Sequence, residues 1–135
     1  MKWYYNEKSY KSYVSDLLEA AAYIDGSLLA NKVVFVSGAC GLIGSCVADM
    51  LLAISKRDNL NIEVLLGARK LEALADRFYF WKEFYRPVCY DALSPNLPTE
   101  AFDIVFHCAS NAHPQAYFEH PVETSMTNVL GTFNL

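Results

Sequence analysis

The chain has 135 residues, 53% hydrophobic and 19% charged, which is enough apolar material for one domain-sized core and too much for a disordered chain. A net charge of −4 with no run of Lys and Arg excludes a nucleic-acid surface, which needs clustered cations. Phosphate binding through backbone amides stays open, because it needs little net charge.

The N-terminal stretch MKWYYNEKSYKSY lacks the apolar stretch of a signal sequence. The longest uncharged run, 33–48, is short for a membrane span and carries three glycines. The expectation is a cytoplasmic protein with no membrane or nucleic-acid partner. Cys40, Cys46, Cys89 and Cys108 form no CxxC pair, and the histidines supply no metal spacing. Reduced thiols and no metal site are expected.

Residues 8–24 place Tyr10, Tyr13, Val14, Leu17, Leu18 and Ala21 at helical spacing, which predicts an amphipathic helix ending near Asp25-Gly26. KVVFVS, 32–37, is a continuous apolar run of strand length, as in a central parallel strand buried on both faces. Ile43, Val47, Met50, Leu51 and Ile54 repeat with helical period, predicting a helix over 42–56. After the polar turn KRDNLN, IEVLLG at 62–67 reads as a second buried strand. Residues 70–83 read as a helix whose end is blurred by aromatic residues. PVCY at 87–90 is a third strand, SPNLP a loop, and DIVFHCA at 103–109 a fourth strand. NAHPQAYFEHP reads as a loop with room for one helical turn, and 122–135 as a last helix. Strands alternating with helices imply βαβ units and a parallel sheet. With right-handed crossovers the natural architecture is a doubly wound α/β sheet of order 3-2-1-4.

The loop Gly38-Ala39-Cys40-Gly41-Leu42-Ile43-Gly44 lies between the first strand and the helix after it. Strand, glycine spacing and helix together separate a phosphate loop from an ordinary tight turn. Gly38 permits the sharp exit from the strand. Gly41 lets a pyrophosphate approach the backbone, and Gly44 lets the new helix pack closely. The helix N-terminus adds free N–H groups and the positive end of its dipole. Cys108, Ala109 and Ser110 end the fourth strand at the carboxyl edge of the sheet, where ligands bind in open α/β folds, and their small side chains leave room. A dinucleotide cofactor is the expectation. The end of the second strand, Gly67-Ala68-Arg69-Lys70, has no carboxylate for a ribose 2′-hydroxyl. Glu63 falls near the usual count but opens the strand instead of closing it. Arg69 suits a 2′-phosphate, or is an exposed cation at a helix start.

VSGACGLIGSCV resembles the nucleotide loop of the extended short-chain dehydrogenase/reductases, the NAD-dependent epimerase/dehydratase group. Its usual form there is TGxxGxxG, with Ser37 in place of threonine and Cys40 at a position where threonine is common. DIVFHCAS (103–110) resembles the group's DxVxHxAA strand, HPVETSMTNVLGTFNL (120–135) its PxxxxxxNvxGTxNLL helix, and YDAL (90–93) its element after strand three. ASNAHPQAYFEHP resembles a bacterial subgroup of UDP-glucuronate decarboxylases and dTDP-glucose dehydratase-like proteins. The resemblance implies a Rossmann-type fold and a cofactor site at Gly38, Cys40, Gly41, Leu42, Ile43, Gly44, Arg69, Asp91, Ala92, Cys108, Ala109 and Ser110, with Asp91 on the adenine amino group. It places Asn128 on the substrate side and His107 in a packing role. Asn111 and His113, in the loop facing the crevice, are expected to join the substrate side, and Cys40, near a helix N-terminus, is read as a passive small residue with a reactive thiol as the alternative. The resemblance favours NAD, with NADP as the alternative that Arg69 supports.

The family's chemistry needs a Tyr-x-x-x-Lys pair after a fifth strand. Tyr79 and Tyr10 fail the pattern, and Tyr4-x-x-x-Lys8 matches only in letters, ahead of the first strand. The chain stops at Leu135 inside GTFNL. The expectation is therefore a Rossmann domain over 32–135 preceded by a helical extension over 1–31, truncated before strand five by cloning or gene fragmentation. It would lack catalytic residues and a substrate domain. A fourth strand left as an edge predicts a homodimer or swapped assembly that covers it. Two functions follow: the cofactor-binding part of a nucleotide-sugar epimerase, dehydratase or decarboxylase, or a non-catalytic NAD(P)-sensing or interaction module.

Overall fold

A computed structural model describes residues 7–94, 98–99, 101–111 and 113–135. Tyr4 and the middle of the SPNLP loop lie outside them. The elements run α1 (Glu7–Ala21), β1 (Val33–Ser37), α2 (Leu42–Asp58), β2 (Glu63–Ala68), α3 (Leu71–Arg77), β3 (Arg86–Cys89), β4 (Ile104–His107), α4 (Pro114–Glu119) and α5 (Pro121–Phe133), with 3₁₀ turns at Ser27–Leu29 and Tyr79–Trp81. The four strands are parallel, in order β3-β2-β1-β4. This is the doubly wound arrangement expected from the alternation of strands and helices.

Strand alternation divides the core between the two faces of the sheet. Val34, Val36, Val64 and Leu66 point to one face, where they meet Leu17 of α1, Ala48, Leu51 and Leu52 of α2, Leu74 of α3, and Phe78 and Trp81. Phe35 and Leu65 point to the other, with Val88, Tyr90 and Ala92. Phe35 stacks on Phe102 at 4.8 Å and meets the Tyr90 ring edge-on at 5.3 Å.

Several expected boundaries move for identifiable reasons. The helix over 70–83 stops at Arg77, because Phe78 and Trp81 drop into the core and the chain tightens into a 3₁₀ turn. The helix over 42–56 runs on to Asp58 and ends on Asn59, whose left-handed conformation (φ 52°) closes its carboxyl end. The loop after β4 contains α4, started by Pro114 in the first turn and by His113, whose Nδ1 accepts the Gln115 N–H at 3.3 Å.

The N-terminal helix is bound to the domain by a charged network. Asp49 of α2 is fully buried and pairs with Arg77 of α3, and the Tyr13 hydroxyl donates to its Oδ2 at 2.6 Å. Burial, then the bond to Asp49, pushes the Tyr13 pKa well up, so the phenol stays protonated and able to donate. Tyr10 stacks on Phe80 at 3.9 Å. The apolar side of α1 is thus spent on its own domain. Among the described residues no helix is long and apolar enough to cross a membrane.

Candidate functional site

The carboxyl ends of the four strands open into one cleft of about 830 Å³. Gly38, Cys40 and Gly41 enter it from the turn after β1. Ala68, Arg69 and Lys70 come from the end of β2, Tyr90 to Leu93 from beyond β3, and Cys108 to Asn111 from beyond β4. Ala73 of α3 and Glu123 and Thr127 of α5 complete the wall. A cleft of this size at the point where strand order reverses is the usual ligand position in this architecture.

The glycine loop is built as its spacing predicts. Gly38 sits at φ 62°, and a Cβ there would lie 2.7 Å from the backbone of Ala109. A Cβ on Gly44 would lie 2.4 Å from the Gly38 carbonyl oxygen, so the close approach is to the turn itself. Gly41 is different. A Cβ there meets only the Gly38 oxygen, at 3.2 Å, and otherwise projects into open space. The first helical bond of α2 runs from Ser45 N to the Gly41 oxygen at 2.9 Å. The N–H groups of Leu42, Ile43 and Gly44 precede it, and no side chain caps them. Ala39 N donates to the Gly67 oxygen at 3.1 Å, tying this loop to the end of β2.

Ser37 and His107 are partners in the β1–β4 register. The Ser37 Oγ accepts the N–H groups of Cys108 at 3.0 Å and Ala109 at 3.2 Å. Its own hydrogen therefore goes to His107 Nδ1, 2.7 Å away, which leaves the imidazole proton on Nε2 and the ring neutral. Burial lowers the His107 pKa, opposed by the Thr127 backbone. The residue has the packing role expected for it, and it also fixes the cleft floor at Cys108 and Ala109.

Of the residues expected at the site, Gly38, Cys40, Gly41, Arg69, Asp91, Ala92, Cys108, Ala109, Ser110 and Asn111 line the cleft. Leu42 and Ile43 do not. They are 85% and 70% exposed outside it. Gly44 is buried behind the loop. His113 caps α4, and Asn128 is exposed on α5; neither lines the cleft. The Asp91 Oδ1 accepts Leu93 N at 3.1 Å, closing a turn. Burial raises the thiol pKa of both Cys40, where the Arg77 charge opposes it, and Cys108, so neither is an activated thiolate.

Lys70, Tyr90, Glu123 and Thr127 were not singled out in the sequence. Glu123, Thr127 and Gly131 share one side of α5 at four-residue spacing, a signal available beforehand. Tyr90 carried none: it is 3% exposed, and its buried hydroxyl has no partner among the described residues although the side chain borders the cleft.

The parallel sheet of order β3-β2-β1-β4 and the glycine loop after β1 define an α/β domain of the Rossmann type. Residues 34–135 match the model of the NAD dependent epimerase/dehydratase family, and the chain belongs to that family. Membership implies a nicotinamide dinucleotide cofactor. The chain is 30% identical over 108 residues to UDP-glucuronic acid decarboxylase 5 of Arabidopsis thaliana, a match covering 78% of this chain and 30% of that protein. It is 32% identical over 110 residues to UDP-glucuronic acid decarboxylase 4 of the same plant, covering 79% and 23%. UDP-glucuronic acid decarboxylase 1 of Danio rerio is 27% identical over 105 residues, covering 78% and 24%. The chain thus spans less than a third of these relatives. No solved structure matches it significantly.

Proposed function

We propose that this chain is the dinucleotide-binding part of an enzyme acting on a nucleotide sugar, of the decarboxylase, epimerase or dehydratase kind, and that it does not itself carry the acid–base pair. The observation that carries the reading is the open cradle over Gly41, beside the uncapped N–H groups of α2. Those N–H groups would hold a pyrophosphate. Asp91 would accept from the adenine amino group. The small residues Cys108, Ala109 and Ser110 would leave room for the nicotinamide half, and Asn111 would face the sugar. His113 and Asn128, outside the cleft wall, would join the substrate side only through a larger assembly. When bound, the dinucleotide supplies a reversible hydride acceptor for a sugar carbon. The relatives' names, all UDP-glucuronic acid decarboxylases, support the nucleotide-sugar part of this reading.

Calorimetric titration of the whole chain with oxidised and reduced nicotinamide dinucleotides tests the reading. Binding is expected, and Gly41→Leu, at an ordinary φ of −74°, should weaken it at least tenfold while the chain stays folded. No binding of any dinucleotide overturns it. A competing role as a non-catalytic sensor or interaction module predicts the same binding but no gain of activity when the remaining parts of a decarboxylase are supplied in trans. Within the proposal, the half-buried edge strand β4 pairs with a second copy of the chain. A monomer by light scattering at high concentration removes that element.

A further inference from the structure

We infer that this cleft selects dinucleotides carrying a phosphate on the adenosine ribose 2′ position, held by Arg69 and Lys70; the inference rests on the dinucleotide reading above. Two ties fix where these residues stand. Ala39 N bonds to the Gly67 oxygen at 3.1 Å, and Tyr90 N bonds to the Ala68 oxygen at 3.0 Å. The chain leaving β2 is therefore clamped between the glycine loop and the end of β3. Arg69 and Lys70 come next, both exposed and both lining the cleft. With a pyrophosphate on the loop, the first ribose lies over the end of β2 in this architecture.

What surrounds that position matters as much. A ribose 2′-hydroxyl is recognised by a carboxylate that accepts a hydrogen bond from it. Glu63 has the approximate sequence spacing, but it opens β2, roughly 17 Å of strand away from Ala68. There it pairs with Arg86 at 3.4 Å and lines a separate hollow with Lys32. Among the described residues, the carboxylates that line the cleft are Asp91 and Glu123. Asp91 follows β3, one strand further from the loop, and already closes its own turn. Glu123 belongs to α5, beyond the β4 side.

The cations are in the opposite condition. Arg57, Arg77 and Arg86 each have a carboxylate partner, whereas among the described residues Arg69 and Lys70 form no ion pair. A phosphate monoester is close to doubly charged at neutral pH and offers three acceptor oxygens. Guanidinium binds it through two parallel N–H bonds, and ammonium adds a point charge. A plain ribose would leave both cations unpaired and its 2′-hydroxyl without an acceptor. The esterified ribose satisfies all three.

Calorimetric titration of the full chain with NADP⁺, NAD⁺, 2′,5′-ADP and 5′-AMP decides the matter. NADP⁺ should bind at least tenfold more tightly than NAD⁺, and 2′,5′-ADP more tightly than 5′-AMP by a similar ratio. Raising the salt concentration should shrink both ratios. In Arg69→Ala/Lys70→Ala the NADP⁺ to NAD⁺ ratio should fall to near one, with circular dichroism confirming the fold. Equal affinities, tighter NAD⁺ binding, or a ratio that survives the double substitution overturns the 2′-phosphate assignment and leaves the dinucleotide reading intact. Failure of all four ligands to bind overturns both.

Discussion

The two faces of the sheet are built to different standards. On the α1–α2–α3 side, strand side chains meet three helices, and α2 alone buries eight residues from Gly44 to Ile54. On the other side, α5 buries only Thr124 and Gly131, and its Val122, Met126, Val129 and Phe133 form an exposed stripe at helical spacing. Phe118 of α4 is 87% exposed and Phe133 84%. One face is covered by a packed layer of helices. The other keeps an apolar surface of the kind that meets another polypeptide. The cleft lies at the edge of both, with its glycine loop on the α2 side and its β4 wall on the α5 side.

Substitutions on either side put this contrast to the test. The largest effect is expected at Asp49. Asp49→Ala leaves Arg77 in a protein interior without its partner and should cost about 3–5 kcal/mol in urea unfolding. Asp49→Leu/Arg77→Met, which removes both charges, should recover most of that loss. If the double variant is as unstable as the single one, the network does more than neutralise buried charge.

On the thinner side the counterpart is Gly131, where a Cβ would stand 2.9 Å from Ala92 Cβ and 3.1 Å from His107 Nε2. Gly131→Ala should cost about 1–3 kcal/mol by overpacking. A neutral result would mean that α5 rides loosely on the sheet.

His107 gives a pH-dependent comparison. Its folded pKa lies below the unfolded value, so the unfolded chain takes up the proton first. Its contribution is complete above the unfolded pKa of about 6.5 and is lost as pH falls through the lower folded value. Unfolding free energies measured from pH 7.5 down to 5 should show this acid loss, and His107→Gln should flatten it at a cost near 1 kcal/mol for the altered Ser37 bond. An unchanged acid slope would assign the effect elsewhere. The smallest effect is expected for Val129→Ser, within about 0.5 kcal/mol of the parent chain. A much larger loss would show that the stripe is covered within the folded monomer.

How far the sequence disclosed all this depended on whether a feature was local. The glycine loop was legible because strand, turn and helix follow one another along the chain. Sheet order followed from the alternation of elements and crossover handedness. The end of α3 was not legible, since it is set by where Phe78 and Trp81 find room in the core. Proline and histidine composition disguised α4, although Pro114 starts it. At the site, residues on the strand ends were foreseen, because every parallel strand points its carboxyl end into the cleft. Tyr90, Glu123 and Thr127 were missed because their inclusion depends on how β3 and α5 dock. Leu42 and Ile43 were included on the strength of the motif, and their exposed side chains lie outside the cleft wall.

The pairing of β1 with β4 carries one more consequence, for the order of events during folding. Val34 pairs with Ile104 and Ser37 with His107, contacts separated by 70 residues, whereas Val33 pairs with Glu63 across a single helical connection. Closing the longer loop costs more chain entropy, and distant contacts form slowly. The Ser37–His107 clasp and the floor at Cys108 and Ala109 should therefore assemble after β1, α2 and β2 have condensed. In a refolding experiment, ability to bind a nucleotide should lag behind recovery of the fluorescence of buried Trp81.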